Sequence, residues 1–286
     1  MIKLSVVLAT RNEEKNIGRC LAAVKDIADE IIVFDEYSSD KTTKIAKSYG
    51  AKVFFEPHHD IFHVTKQKAL EKAKGDWILQ LDADEVVTLE LADEIKNVIK
   101  MSDEKILARR PKDPNKWRLF LRHQQLIEER DGNLQNGEEV VAFFVPRRNM
   151  FLGKPLIHAG VYPDAVIRLV KRGKARLPGK SVHEQMQFDG RVAWLFNDLL
   201  HYDSPTLRRY IERLNRYTDL RAEEMKEAKT PDNFFNFLKY NFYKPVFTFL
   251  NLYLRHKGFK DEIRGFLWSA LSASHFPIAY FKYITR

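Results

Sequence analysis

The chain is 286 residues long, 44% hydrophobic and 30% charged, and its 48 Lys+Arg against 39 Asp+Glu give a formal charge of +9. That balance belongs to a folded chain with a real core and excludes a disordered, collagenous or coiled-coil protein. One cysteine, Cys20, excludes an internal disulfide framework and a cysteine-based zinc site.

The apolar run at 4–9 is too short for a signal peptide, so a cytoplasmic protein is expected. Residues 3–9 read as a first strand, and 13–24 hold an amphipathic helix with Cys20 on its apolar side. The stretch EIIVFD at 30–35 is a second strand. Ser39-Asp40 caps a helix reaching residue 49, where Gly50 ends it with the positive φ that glycine tolerates. Residues 51–55 form a third strand, 64–74 a helix stopped by Gly75, 76–81 (DWILQL) a fourth strand, and 89–100 another helix. Strands apolar almost throughout, alternating with helices, predict a parallel sheet covered on both faces. Such a sheet binds its ligand beyond the carboxyl ends of its strands.

Polar residues gather at those ends: Thr10-Arg11-Asn12-Glu13-Glu14, then Asp35 to Asp40, then Asp82-Ala83-Asp84-Glu85. Any one of these loops could be solvated connection alone, but three on one edge define a ligand crevice. No G-x-G-x-x-G follows the first strand and no G-x-x-x-x-G-K-[ST] occurs, which disfavours a dinucleotide fold or a P-loop. The carboxylates of Asp82 and Asp84, two residues apart beyond a strand, point the same way and offer hard oxygen ligands to Mg²⁺ or Mn²⁺. A bare D-x-D is common on surfaces; it gains weight from its place after WILQL. His58, His59 and His63 read as surface histidines, since no acidic partner stands in register to make them a metal cluster.

Residues 103–139 interrupt this pattern. Pro111 and Pro114 break it early, 116–130 can form a charged helix, and Trp117, Leu119, Phe120, Leu121 and Leu126 are available for packing. This segment is a surface excursion or an acceptor-side lid. Of 35 aromatic residues, 16 lie between Phe234 and Tyr283, and from Lys229 onward there are 9 Lys+Arg against 3 Asp+Glu. Two helices, 233–256 and 260–283, hinge near Gly258. The longest uncharged stretch, 265–281, falls short of the roughly 20 apolar residues of a membrane span. Aromatics mixed with cations suit an interfacial helix pair on anionic lipid, although packing against the catalytic domain or a second subunit fits the same pattern.

The runs SVVLATRNEEKNIGRCL, ADEIIVFDEYSSDKT and AKGDWILQLDADE resemble the nucleotide-sugar-binding half of family 2 glycosyltransferases. The later blocks RRNMFLG, HAGVYPDAVIRLVKRG, SVHEQMQFDG and LLHYDSPTLRRYIERLNRYT are similar to the branch with lipopolysaccharide-core β-glucosyltransferases. Together they cover about 1–102 and 140–222. The resemblance implies an α/β GT-A fold, with a mostly parallel sheet flanked by helices and a helical, aromatic-rich C-terminal extension. Its catalytic domain would span 1–222, with the donor half at 1–102, the insertion at 103–139 and the acceptor-side half at 140–222. The extension would be 223–286.

The resemblance also implies roles. Thr10, Arg11 and Glu13 would meet the nucleoside, and Asp35 would accept the imide N–H of a uracil-type base. Lys66 would lie near the donor, although Gln67 stands where an Asn commonly follows. Asp82 would face the ribose and the metal, with Asp84 the direct ligand of Mg²⁺ or Mn²⁺ and His201 completing its coordination. Gly160 and Tyr162 would sit beside the acceptor, and Glu184 would be the base, with His183 orienting it or packing in the core. Without the resemblance, His201 would read as a core histidine. The activity implied is inverting transfer from a nucleotide-sugar, of UDP type, to a glycan or lipid-linked acceptor. The enzyme would work on the inner face of the cell membrane, with no nucleic-acid partner and an oligomeric state left open. Two other classes compete. A sugar-1-phosphate nucleotidyltransferase should carry a glycine-rich first loop, where TRNEE stands. A nucleic-acid-binding protein using the basic aromatic tail would leave D-x-D and VHE unexplained.

Overall fold

The computed structural model describes residues 3–132, 134, 137–178 and 186–285. They form two compact units, Met1–Arg147 with Pro163–His201, and Arg148–Tyr162 with Tyr202–Arg286.

The first unit opens with β1 (Leu4–Thr10), α1 (Ile17–Val24), β2 (Glu30–Asp35), α2 (Thr42–Ser48), β3 (Lys52–Phe55), α3 (His63–Lys72) and β4 (Trp77–Leu81). It continues through β5 (Glu85–Val87), α4 (Leu89–Val98), α5 (Asp103–Ala108), α6 (Pro114–Asp131) and β6 (Val140–Val145). Strand β7 (Arg147–Phe151) leaves for the second unit, where β8 (Lys154–Pro155) pairs with it antiparallel. The chain returns in β9 (Val166–Lys171), β10 (Ala175–Arg176), β11 (Gln187–Phe188) and β12 (Arg191–Trp194), and crosses again along β13 (Leu199–Ser204).

Seven strands make the main sheet, in the order β12-β6-β9-β4-β1-β2-β3. Six run parallel and β9 runs against them, pairing antiparallel with both β4 and β6. Every residue of β2 and β4 is buried, as strands covered on both faces must be. The predicted amphipathic helix buries Ile17, Cys20, Leu21 and Val24, a spacing of three and four that lines one helical face. Burial pushes the Cys20 thiol well above its ordinary range, so it serves as a small apolar side chain.

Register fixes where the strands end together: Thr10 is level with Asp35, and Leu8 with Leu81. The three polar loops therefore emerge from one edge. Gly50 has φ +77, as a helix stop should. Gly75 has a different task from the one expected. Helix α3 already ends at Lys72, with Ala73 extended, while a Cβ on Gly75 would lie 2.7 Å from the backbone nitrogen of Ser5. It is glycine because β1 passes too close for anything larger. Pro114 likewise does not break a helix but begins one, at the first turn of α6, where Asp113 caps the N–H of Asn115 at 2.9 Å.

In the second unit, α7 (Leu207–Glu227) packs against α10 (Glu262–Ile284). Between them run α8 (Phe234–Leu238), a π turn at Lys239–Tyr243, α9 (Lys244–Leu250), a second π turn at Asn251–Arg255 and a 3₁₀ turn at Gly258–Asp261. Its small core joins Met225, Tyr240 and Tyr280, the two tyrosine rings stacked 5.4 Å apart. Gly265 is obligatory, because a Cβ there would lie 1.8 Å from the carbonyl oxygen of Gly258. No helix among the described residues is long and apolar enough to cross a membrane.

Candidate active site

A cleft of about 280 Å³ opens at the carboxyl edge of the sheet, bordered by Thr10, Arg11, Glu13, Lys66, Asp82, Asp84 and His201. Seven residues singled out in the sequence thus meet in one place. Asp35 does not join them. It is fully buried below the cleft, where its carboxylate accepts from Thr10 Oγ1 at 3.0 Å, Ser38 N at 2.7 Å and Ser38 Oγ at 2.6 Å. The carboxylate that borders the cleft is its neighbour Glu36, held by the Thr65 hydroxyl and by His58 Nδ1, each at 2.6 Å. Successive residues face opposite ways as a strand ends, so one acid supports the loop from beneath while the next is presented.

Asp82 is clamped. Lys66 pairs with one carboxylate oxygen, and Arg168 of β9 donates to the other at 2.6 Å. Arg168 also donates to Gln80 Oε1 at 2.6 Å and to Glu85 Oε1 at 2.7 Å, while Glu85 Oε2 accepts the Asp82 N–H at 2.9 Å. Burial alone would raise the Asp82 carboxyl, but Arg168 and Lys66 overcome it and hold the group far below the usual carboxylate range. Burial lowers the Lys66 ammonium somewhat, against the pull of Asp82. Burial works against the charge of Arg168, but Asp82 and Glu85 outweigh it and hold the guanidinium above its ordinary range.

Asp84 is turned the other way. Strand β5 pairs with β13 so that Glu85 faces His201, which brings His201 Nε2 to 3.6 Å from Asp84 Oδ2. Burial would raise Asp84, but the His201 contact keeps it ionised below its ordinary range. A carboxylate and an imidazole at one rim suit a borderline divalent ion such as Mn²⁺, and the residues present fit such a group.

A second cavity, of about 750 Å³, shares Lys66 with the first. Gln80, Arg147 and Arg168 form its floor, and α6 contributes His123, Ile127 and Arg130 to its wall. Helix α6 is the one expected within 103–139; Phe120 anchors it, fully buried and stacked 4.4 Å from Trp194. Leu119, Leu121 and Leu126 stay exposed. Leu177 and Met186, flanking the segment with Glu184, also border this cavity. Glu184 and His183 themselves lie outside the described residues.

Gly160 and Tyr162 belong to the second unit, where the Ala159 N–H donates to the His256 carbonyl at 3.0 Å and Asp261 receives His158 Nδ1 at 2.8 Å. Of the three neighbouring histidines, His58 is exposed as expected, His59 is half-buried and pairs with Glu56 at 3.0 Å, and His63 is buried at the start of α3. Arg168 is the site residue the sequence reading passed over, and Glu85 and Glu36 entered it only as members of the polar loops. Arg168 left one signal, a lone guanidinium inside the apolar run VIRLV, since a buried cation needs acidic partners.

An open α/β sheet receives its ligand at the carboxyl edge of its strands, which is where the polar loops and the carboxylate–histidine pair stand. Over residues 5–158 the chain matches Glycosyl transferase family 2, and it belongs to that family. It is a glycosyltransferase. It is 27% identical over 281 residues to the uncharacterized glycosyltransferase RT0209 of Rickettsia typhi, covering 92% of this chain and 82% of that one. It is 26% identical over 292 residues to the lipopolysaccharide core biosynthesis glycosyltransferase LpsC of Rhizobium meliloti, covering 96% of this chain and 91% of that one. Among solved structures it is similar to residues 1–349 of S. aureus TarS, with 15% identity, a TM-score of 0.42, and coverage of 94% of this chain and 81% of that one.

Proposed function

We propose that this enzyme transfers a sugar with inversion from a UDP-sugar to a saccharide or lipid-linked glycan, in assembly of a cell-envelope glycan. The name of the Rhizobium relative supports the envelope setting. The observation that carries the reading is the division of labour in the D-x-D: Asp82 is neutralised by Lys66 and Arg168, while Asp84 stands with His201 at the rim.

In this reading Thr10, Arg11, Glu13 and Glu36 receive the nucleoside, with Asp35 bracing Thr10 and Ser38 from below. Lys66, on the border of both cavities, lies where the sugar passes from donor to acceptor. Asp84 and His201 would hold a divalent cation, which supplies charge neutralisation for the departing diphosphate. Asp82, fixed as an anion, keeps Lys66 and Arg168 in place without being protonated near neutral pH. The acceptor enters the larger cavity beside α6. Glu184, whose role comes from the family resemblance, takes the proton of the attacking hydroxyl; base catalysis of this kind contributes about 10²–10⁴-fold.

The test is release of UDP from a panel of UDP-sugars with an oligosaccharide acceptor, with and without chelator. Release should need added metal. Asp84→Ala should lower it by about 10²-fold or more, and Glu184→Gln should lower turnover by about 10²–10⁴-fold with donor affinity retained. Chelator-resistant release by Asp84→Ala would end the proposal.

The second unit supports a further part of the same reading, peripheral contact with a membrane. Phe235, Phe242, Tyr243 and Val246 are all more than half exposed, and with Leu238 and Lys239 they border an apolar hollow. Aromatic rings interleaved with lysines are the composition of an interfacial helix on anionic lipid.

A further inference from the structure

The second unit holds a cavity of its own, between α7, α10 and the end of β13. It has a volume of about 350 Å³ and is bordered by Asp203, Arg213, Tyr217, Trp268, Ser272 and His275. That size falls within the range of about 300–1,000 Å³ typical of small-molecule sites. Its construction is specific. Trp268 meets Tyr210 edge-on at 5.6 Å and Phe151 at 5.5 Å, and Phe151 meets Tyr210 at 5.3 Å. Phe151 is only 1% exposed, so this aromatic trio is anchored in the core and holds the indole in a fixed orientation. Opposite, Arg213 pairs with Asp203, donates to Ser204 Oγ at 3.3 Å, and lies 5.7 Å from the centre of the Tyr217 ring.

The charges of this cavity cancel. Arg213 is matched by Asp203, and burial, with Arg221 nearby, keeps His275 below its ordinary range and so uncharged near neutral pH. What remains is rigid aromatic surface together with hydroxyl, imidazole, carboxylate and guanidinium groups that donate or accept. A phosphate would find no net positive charge here. An aliphatic chain would leave the ion pair without polar company. A pyranose meets both demands, since its C–H face packs on aromatic rings while its hydroxyls bond in the plane of the ring.

We propose that this cavity is a saccharide-binding site of the second unit, which holds an uncharged sugar residue of the glycan acceptor. The inference takes from the glycosyltransferase reading only the class of molecule. Its test therefore uses neither nucleotide nor metal, and the result is independent of Asp84 and of UDP release.

The experiment is saturation-transfer difference NMR on the full chain in chelator, with methyl glycosides of glucose, galactose and mannose as probes. At least one glycoside should show transfer to its ring C–H protons, with a dissociation constant of about millimolar, as expected for so small a ligand. Tyr217→Ala removes a ring that is 47% exposed and should leave the fold intact. Trp268→Leu keeps apolar volume but removes the flat surface. Each should weaken binding at least fivefold while far-UV circular dichroism stays as in the wild type. Absence of transfer from all three glycosides overturns the proposal. So does transfer undiminished in Tyr217→Ala and in a folded Trp268→Leu, or displacement of the signal by equimolar inorganic phosphate.

Discussion

Glu30 shows how single side chains hold the base of the sheet. It begins β2, and its buried carboxylate accepts from Ser5 Oγ and from the Lys74 N–H, both at 2.7 Å, with Lys52 Nζ at 3.3 Å. Ser5 in turn receives the Gly75 N–H at 2.8 Å, so β1, β2 and the approach to β4 are tied at one point. Burial raises the Glu30 carboxyl, but these donors outweigh it and leave it below its ordinary value. A depressed carboxylate contributes stability that is fully present above the unfolded pKa, about 4.3, and is lost as pH falls through the lower folded value. Glu30→Gln should therefore cost about 1–3 kcal/mol at pH 7, measured by urea denaturation, and the gap from wild type should close in acid. A gap that persists below the folded value would show that shape, not charge, is what Glu30 supplies. At this scale the sequence was partly legible. The D-x-D, Thr10 and His201 could be singled out because loops and family motifs mark them. Arg168 could not be connected to Asp82, because that contact depends on β9 running antiparallel beside β4. Nor could the cleft-bordering Glu36 be told from the buried Asp35: a strand apolar on both faces carries no signal of which side meets the cleft.

Among the elements, the alternation of strands and helices over the first hundred residues was readable because β1, β2 and β4 are apolar almost throughout and α1 and α4 each bury one apolar face. The reversal of β9 was not, since VIRLV has the same composition whichever way it runs. Helix α6 was visible from its charge pattern, but the cavity it borders was not. Its most deeply buried anchor is one ring, beside polar ties from Lys116 to the Phe196 carbonyl at 2.6 Å and from the Trp194 indole to Gln124 at 2.9 Å. Phe120 is fully buried between Trp194, at 4.4 Å, and Phe196, at 6.5 Å. Phe120→Ala should destabilise the first unit by about 3–5 kcal/mol. On the proposed assignment of the two cavities it should also raise the acceptor KM more than it lowers donor affinity, because α6 borders the larger cavity and not the cleft beside Asp82 and Asp84. Equal losses in both would separate α6 from acceptor binding.

For the whole molecule, the charge of +9 is unevenly placed, and the basic excess follows the aromatic tail. The proposed membrane contact can be tested by sedimentation with liposomes. The full chain should pellet with vesicles containing anionic lipid, and the bound fraction should fall several-fold as salt rises, because Lys and Arg near a charged surface each add about 1 kcal/mol at low ionic strength. Phe235→Ser with Phe242→Ser should release the protein at all salt concentrations. Equal binding to neutral and anionic vesicles would remove the electrostatic part of the proposal, and unchanged sedimentation of the double variant would remove the contact itself.

The two π turns of the tail carry a consequence for that surface. Each holds one residue more than a regular turn, so everything beyond it falls back by about 100° against an even count. A ruler of 3.6 residues laid along 234–255 therefore loses count twice. On an even count Phe247 would stand about 120° away from Phe235; the extra residue of the first π turn brings it back to the side of Phe235 and Phe242, all three exposed, while Tyr240 faces inward.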